Sequence, residues 1–195
     1  MSLHLNGNTI GDLYVGGTKV GEAWFNGQKV YSSVPPVINY MFRDIDANGN
    51  LTSATGALED ASEITQIGDY ELANVFYMCR GLTGSVSFPN LTSIGDYGLF
   101  YAFHGCSGLT GSISFPNLTS IGDTGLYNAF FMCSGLTGKI SFPSLTSIGT
   151  SGLHYAFYRC TGITEIHFKS SLSGNSECTA SNMGCTRARV YFDLP

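Results

Sequence analysis

Charge is scarce in this chain. Of 195 residues, 9 are Lys or Arg and 14 are Asp or Glu, 12% in all, roughly half the share usual in a soluble domain. The net charge of −5, with no basic stripe, argues against a nucleic-acid partner, which needs clustered cations to displace the counterions of the phosphates. No apolar run approaches the roughly 20 residues of a membrane span, so no membrane insertion is expected. The opening, MSLHLNGNTIGDLYVGG, has neither a basic start nor a hydrophobic segment, and no secretory leader is expected in it. Catalytic signatures are missing too: there is no H-E-x-x-H, no P-loop and no G-x-S-x-G. The acidic residues are too scattered for a paired acid and base. His4, His104, His154 and His167 have no neighbour at metal-ligand spacing. The sequence therefore predicts no enzyme, no catalytic residue, no metal and no cofactor.

The chain is rich in Gly (25 residues), Phe (13) and Tyr (11), and 43% of it is hydrophobic. That composition fits a rigid, β-rich body of short strands and turns. Two periods organise it. Asn6-Gly7, Gly16-Gly17 and Asn26-Gly27 recur at intervals of ten, and such pairs supply the positive φ angles of two-residue hairpin turns. Residues 3–31 read as a small antiparallel β-meander of four strands. The expected domains are an attachment module at 1–33, a Pro-containing linker at 34–40 and a second body at 41–195.

The second period is 27. GLTGSISFPNLTSIGDTGLYNAFFMCS, Gly108–Ser134, shares 21 of its 27 residues with the block starting at Gly81. A third copy starts at Gly135, a shortened one at Gly162, and a degenerate half-copy fills 62–80. Repeats of this length imply a solenoid, in which each unit buries its apolar face only against its neighbours. Segment 37–61 and the stretch from Gly174 onward would cap it. In each unit, GLTGSISF alternates as a strand that Pro116 stops. NLTSIG aims Leu118 and Ile121 inward. Leu126, Ala129, Phe130 and Cys133 then fall on one face of a short helix, with Asp123 as its cap. Strands stack at about 4.8 Å and helices at about 8–10 Å, so in-register helices would bend the rod, strand side concave. Phe103, Phe130 and Phe157 should form one buried column. Cys79, Cys106, Cys133 and Cys160 keep the period, as small buried residues do and disulfide partners do not. Cys178 and Cys185 lie outside it, and whether they bridge stays open.

The pattern LTSIGD…AF..C.GLT.I.F resembles the BspA-like leucine-rich repeat over about residues 62–168. The resemblance implies a leucine-rich-repeat solenoid of short strands plus a short helix, without catalytic activity, in a bacterial surface or adhesion protein. LYVGGTKVGEAWFNGQKVY resembles hairpin repeats of phage tail and fibre proteins. Together they imply a phage virion accessory component, whether fibre, receptor-binding or capsid-decorating. The alternative is a bacterial cell-surface adhesin.

Other motifs are read more plainly. Asp44, Asp46 and Asn48 begin like a calcium loop, but Thr55 stands where a bidentate Glu belongs, and a polar turn accounts for them. Asn50, Asn90 and Asn117 each open an N-x-T acceptor, two of them at one repeat position, so repetition explains them. One feature stands out. Outside the inward face, repeat positions carry large rings that differ between copies: Tyr77, His104, Phe131 and Tyr158; Phe100 and Tyr127, with His154 in the same column; Tyr101 and Tyr155. Contiguous exposed aromatics make a contact surface. The expected partner is a virion or host-surface protein, or a glycan, with self-association left open.

Overall fold

The computed structural model describes residues 64–195 in full and, between residues 3 and 59, the backbone of eight strands. The first six are β1 (Leu3–Leu5), β2 (Asn8–Ile10), β3 (Tyr14–Val15), β4 (Thr18–Lys19), β5 (Glu22–Phe25) and β6 (Gln28–Ser32). Among the described residues they pair in antiparallel fashion, β1 with β2, β3 with β4 and β5 with β6, where the sequence suggested a four-stranded meander. Strands β7 (Asn39–Ile45) and β8 (Leu51–Glu59) are antiparallel to each other. Thus β7 takes in the last two residues of the expected 34–40 linker. The rest of that linker, and part of the Asp44–Asn48 turn, lie outside the described residues.

From residue 64 the chain coils as a solenoid with three walls. The strand wall holds β10 (Gly81–Ser87), β12 (Leu109–Ser114), β14 (Thr137–Phe142), β16 (Gly162–Lys169) and β17 (Arg189–Leu194). Its pairings are parallel, and β8 extends it by pairing with β10. The second wall is a ladder of two-residue strands, β9 (Gln66–Ile67), β11 (Ser93–Ile94), β13 (Ser120–Ile121) and β15 (Ser147–Ile148), again parallel. The alternation in Leu109–Ser114 works as a strand should, with Leu109 and Ile113 buried and Thr110 and Ser112 exposed.

The third wall corrects the sequence reading. Residues 68–79, 95–106, 122–133 and 149–160 form no α-helix; they are chains of turns. Alternate amides bond back three residues, as in Phe100 N–H to Tyr97 O and Ala102 N–H to Leu99 O. The others cross to the next coil, as in Leu99 N–H to Gly125 O, Tyr101 N–H to Tyr127 O and Phe103 N–H to Ala129 O. An α-helix would satisfy its amides within itself and leave none for the neighbouring coil. The turn chain keeps half of them for stacking. Its geometry needs a left-handed residue every fourth position, as at Thr124, Asn128 and Met132, with φ of 58°, 52° and 60°. All eleven non-glycine residues of positive φ among the described residues lie in this wall.

The turn wall is hydrogen-bonded from coil to coil throughout, and the strand wall in two ladders that part between β12 and β14. The buried column Phe76–Phe103–Phe130–Phe157 in the turn wall has ring separations of 5.0, 5.1 and 5.8 Å. The column Phe88–Phe115–Phe142–Phe168 under the strand wall has 5.6, 5.9 and 5.2 Å. The expected bend, strand side concave, is therefore absent from these coils. The Asp positions also differ from expectation. Asp96 N–H donates to Asp69 Oδ1, Asp123 N–H to Asp96 Oδ1 and Thr150 N–H to Asp123 Oδ1. Each carboxylate thus ties two coils together instead of capping its own.

Six cysteines are buried and none forms a disulfide, which settles the Cys178–Cys185 question. The thiols of Cys106, Cys133 and Cys160 donate to the carbonyls of Phe76, Phe103 and Phe130 in the preceding coil, at 3.0, 2.9 and 2.9 Å. Burial pushes the Cys106 and Cys160 thiols up to about 12 and raises Cys133 as well. At the C-terminal end a non-repeating segment imitates one more coil. Glu177 accepts from the amides of Ser151 and Leu153, while Asn182 and Met183 carbonyls accept from Tyr155 and Phe157.

Candidate aromatic contact site

The turn wall sets where the rings go. Inward positions are filled by Leu99, Ala102, Phe103 and Cys106 and their equivalents, all essentially inaccessible. The remaining positions project outward and stack on the same residue one coil away. Tyr77, His104, Phe131 and Tyr158 form one continuous stack, with centroid separations of 4.9, 4.7 and 4.6 Å. Phe100, Tyr127 and His154 form a second, at 5.6 and 5.2 Å. Tyr101 bridges the two, 5.1 Å from His104 and 4.5 Å from Phe100. Tyr155 does the same from His154, at 4.1 Å, to Tyr158, at 5.5 Å.

All eight residues singled out from the sequence, Tyr77, Phe100, Tyr101, His104, Tyr127, Phe131, Tyr155 and Tyr158, thus lie in one network on one wall. Tyr77 and Tyr155 are the most open, at 47% and 39% exposure, and the rest are half-buried by one another. Sequence reasoning missed two members. Tyr70 and Tyr97 stack at 4.6 Å, and Tyr97 joins the network through Phe100 at 5.5 Å. The variation between copies that flagged the other rings is present at this position too: Tyr70, Tyr97, Thr124 and Ser151.

Two polar atoms in this wall lack a partner: His104 Nδ1 and the Asn128 side-chain oxygen. Burial lowers the His104 pKa, so the ring sits neutral in its stack between Tyr77 and Phe131. Asn128 is the small residue between Tyr101 and Tyr155 in its repeat column and is only 6% exposed. The wall is therefore a corrugated aromatic platform with sparse hydrogen-bonding groups between its rings. Such a surface buries area at low entropic cost.

Elsewhere, His167 has Asp193 at 2.8 Å from Nδ1 and Glu165 at 3.1 Å from Nε2, with Tyr191 stacked on it at 4.7 Å. Both ring nitrogens are engaged, so the group clamps β17 onto β16. Asn117 donates its side-chain amide to the Pro89 carbonyl, another coil-to-coil tie. Among the described residues no cluster of His, Cys, Asp and Glu could hold a metal ion. No helix among them is long and apolar enough to cross a membrane.

No curated protein and no solved structure matches the chain significantly. A family model does: the BspA type leucine-rich repeat region, in six copies over residues 65–187. That span runs from β9, the first strand of the short ladder, to the cap that imitates a further coil, and it contains the whole aromatic wall. With stacked coils of this pattern over more than half its length, the chain belongs to the BspA-type leucine-rich repeat family, a family of binding and structural repeat proteins.

Proposed function

We propose that this protein is a non-catalytic binding protein displayed at a bacterial cell surface, and that its aromatic wall holds the partner, a host-surface protein or a glycan. One observation carries this reading: a continuous ring network on a single wall, changing from copy to copy where stacking does not dictate the residue. The inward columns hardly change, because a core of near-crystalline density fixes them. The outer rings change while staying large. A role in the virion is the second reading, favoured by the three N-terminal hairpins, and it would use the same wall.

The test separates wall from scaffold by choosing the exposed rings. Tyr77→Ser with Tyr155→Ser is expected to weaken binding to cells or to a glycan array at least tenfold, the scale of an interface hot spot. The melting temperature should move by only a few degrees. Equal binding by the variant and the parent would overturn the assignment. Mass spectrometry of shaved cell surfaces against purified phage particles decides between the two locations.

A further inference from the structure

A second surface runs along the edge of the turn wall and meets the aromatic network only at its far end, beside Tyr155 and Tyr158. One repeat column reads Met78, Gly105, Met132, Arg159; the column beside it reads Arg80, Ser107, Ser134, Thr161. Together they line a groove of about 550 Å³. Met78 and Met132 are exposed, at 42% and 41%. Gly105 stands between them with φ of 73°, and a β-carbon there would collide with the Met78 sulfur. The missing side chain opens a notch that a single flexible thioether now overlies. Beyond Arg159 and Thr161 the groove continues into a hollow of about 410 Å³ bordered by Arg187 and Thr186.

The charge of this groove opposes that of the molecule. The chain carries −5, yet three of its five arginines, Arg80, Arg159 and Arg187, line this one track. All three are exposed. The only side-chain ion pairs among the described residues are those of His167 with Glu165 and Asp193, so none of the three guanidiniums is paired there. Arg159 is held near the Tyr158 ring, 5.6 Å from its centroid. From Arg80 to Thr161 is three coils, about 15 Å at the spacing of stacked strands, or roughly four to five residues of extended chain.

We propose that this groove binds an extended acidic peptide. Its carboxylates pair with Arg80 at one end and with Arg159 and Arg187 at the other, and an apolar side chain enters the notch over Gly105 between Met78 and Met132. Guanidinium forks favour carboxylates, and unbranched thioethers repack around aliphatic side chains of varied shape. A sugar would meet no ring along the methionine stretch, which distinguishes this groove from the aromatic wall.

The experiment selects binders from a ribosome-displayed library of random dodecapeptides and measures the enriched peptides by fluorescence anisotropy. Enrichment of Asp and Glu together with Leu, Ile, Phe or Met is expected, with affinity that falls as salt rises. The combination Arg80→Ser, Arg159→Ser and Arg187→Ser should weaken these peptides at least tenfold. Gly105→Met should weaken them at least threefold by filling the notch. It should keep the fold, since Met78 and Met132 already occupy that positive-φ position. Phe100→Ser, which alters the aromatic wall away from Tyr158 and lines neither hollow, should leave them unchanged, so the groove and the aromatic wall succeed or fail separately. Enriched peptides with no acidic excess, equal binding by the arginine triple variant, or no enrichment at all would overturn the proposal. So would polygalacturonate binding through the three arginines while selected peptides do not.

Discussion

The strand wall reaches its coil-to-coil hydrogen bonds with extended backbone in segments rich in Gly, Ser and Thr. The turn wall reaches the same spacing with folded backbone and a left-handed residue at every fourth position. Left-handed geometry costs an L-residue roughly 1–2 kcal/mol, and the turn wall accepts that cost eleven times among non-glycine residues. In return it presents outward residues in adjacent pairs, such as Phe100 and Tyr101, where a strand alternates in and out. The strand wall is small and polar on its outer side, with Ser85, Ser112 and Thr137 exposed. The turn wall carries the rings and the arginine groove. The difference teaches that the same coil spacing can be reached with two backbones, of which the strained one leaves large side chains side by side on its outer face.

The largest break in this comparison is expected in the turn-wall core. Phe130 is fully buried between Phe103 and Phe157. Phe130→Ala should lower unfolding free energy by about 3–5 kcal/mol, read by urea denaturation. A loss below about 1.5 kcal/mol would mean the column can collapse and is no spine.

Alkali should then weaken the turn wall selectively, because Cys106, Cys133 and Cys160 all sit behind it. Their folded-state pKa values are raised, so the stabilising neutral thiol is fully present below the unfolded value of about 9. Stability should fall as pH climbs from there toward about 12, the folded value for Cys106 and Cys160. Each thiol adds up to about 1.4 kcal/mol of loss per pH unit. Hydrogen exchange would show turn-wall amides opening before those of β10 and β12. In the same protein at pH 8, Ellman's reagent should find no thiol in the native state and six after unfolding.

The smallest expected effect sharpens the contrast most, since it changes sign between walls. Thr124→Gly relieves a left-handed residue with φ of 58° and should stabilise by about 0.5–1 kcal/mol. Ser112→Gly loosens an extended strand and should destabilise by a similar amount. Matching signs, by thermal melting, would show that backbone geometry does not separate the walls.

Much of this was legible in the sequence because the repeat multiplies every signal. Phe103, Phe130 and Phe157 marked their column, and LTSIG marked the second wall. The turn chain was not legible as such. Leu126, Ala129, Phe130 and Cys133 fit a helical face, and over eight residues a period of four is indistinguishable from 3.6. The left-handed sites held Asn74, Gly105 and Asn128, residues that tolerate that conformation, but Tyr101, Met132 and Arg159 at equivalent positions masked the pattern. The Asp ladder hid for a similar reason: Asp123 before a turn reads as a cap whichever coil its carboxylate serves. The eight rings were found by variation between copies. Met78, Gly105, Met132 and Arg159 vary just as much, but their column holds no aromatic residue to draw attention to it.

The thiol, aspartate and turn-chain ties between coils recur with a 27-residue repeat, as in Cys106 to Phe76, Cys133 to Phe103 and Cys160 to Phe130. A junction built this way carries no record of its ordinal number. Unequal recombination within the near-identical reading frame of Gly81–Ser134 could therefore delete or duplicate one unit and still join compatible faces. The length of the rod, and with it the number of rings and the reach of the groove, is then set by genetics in steps of one coil, about 5 Å, while the folding rules stay the same.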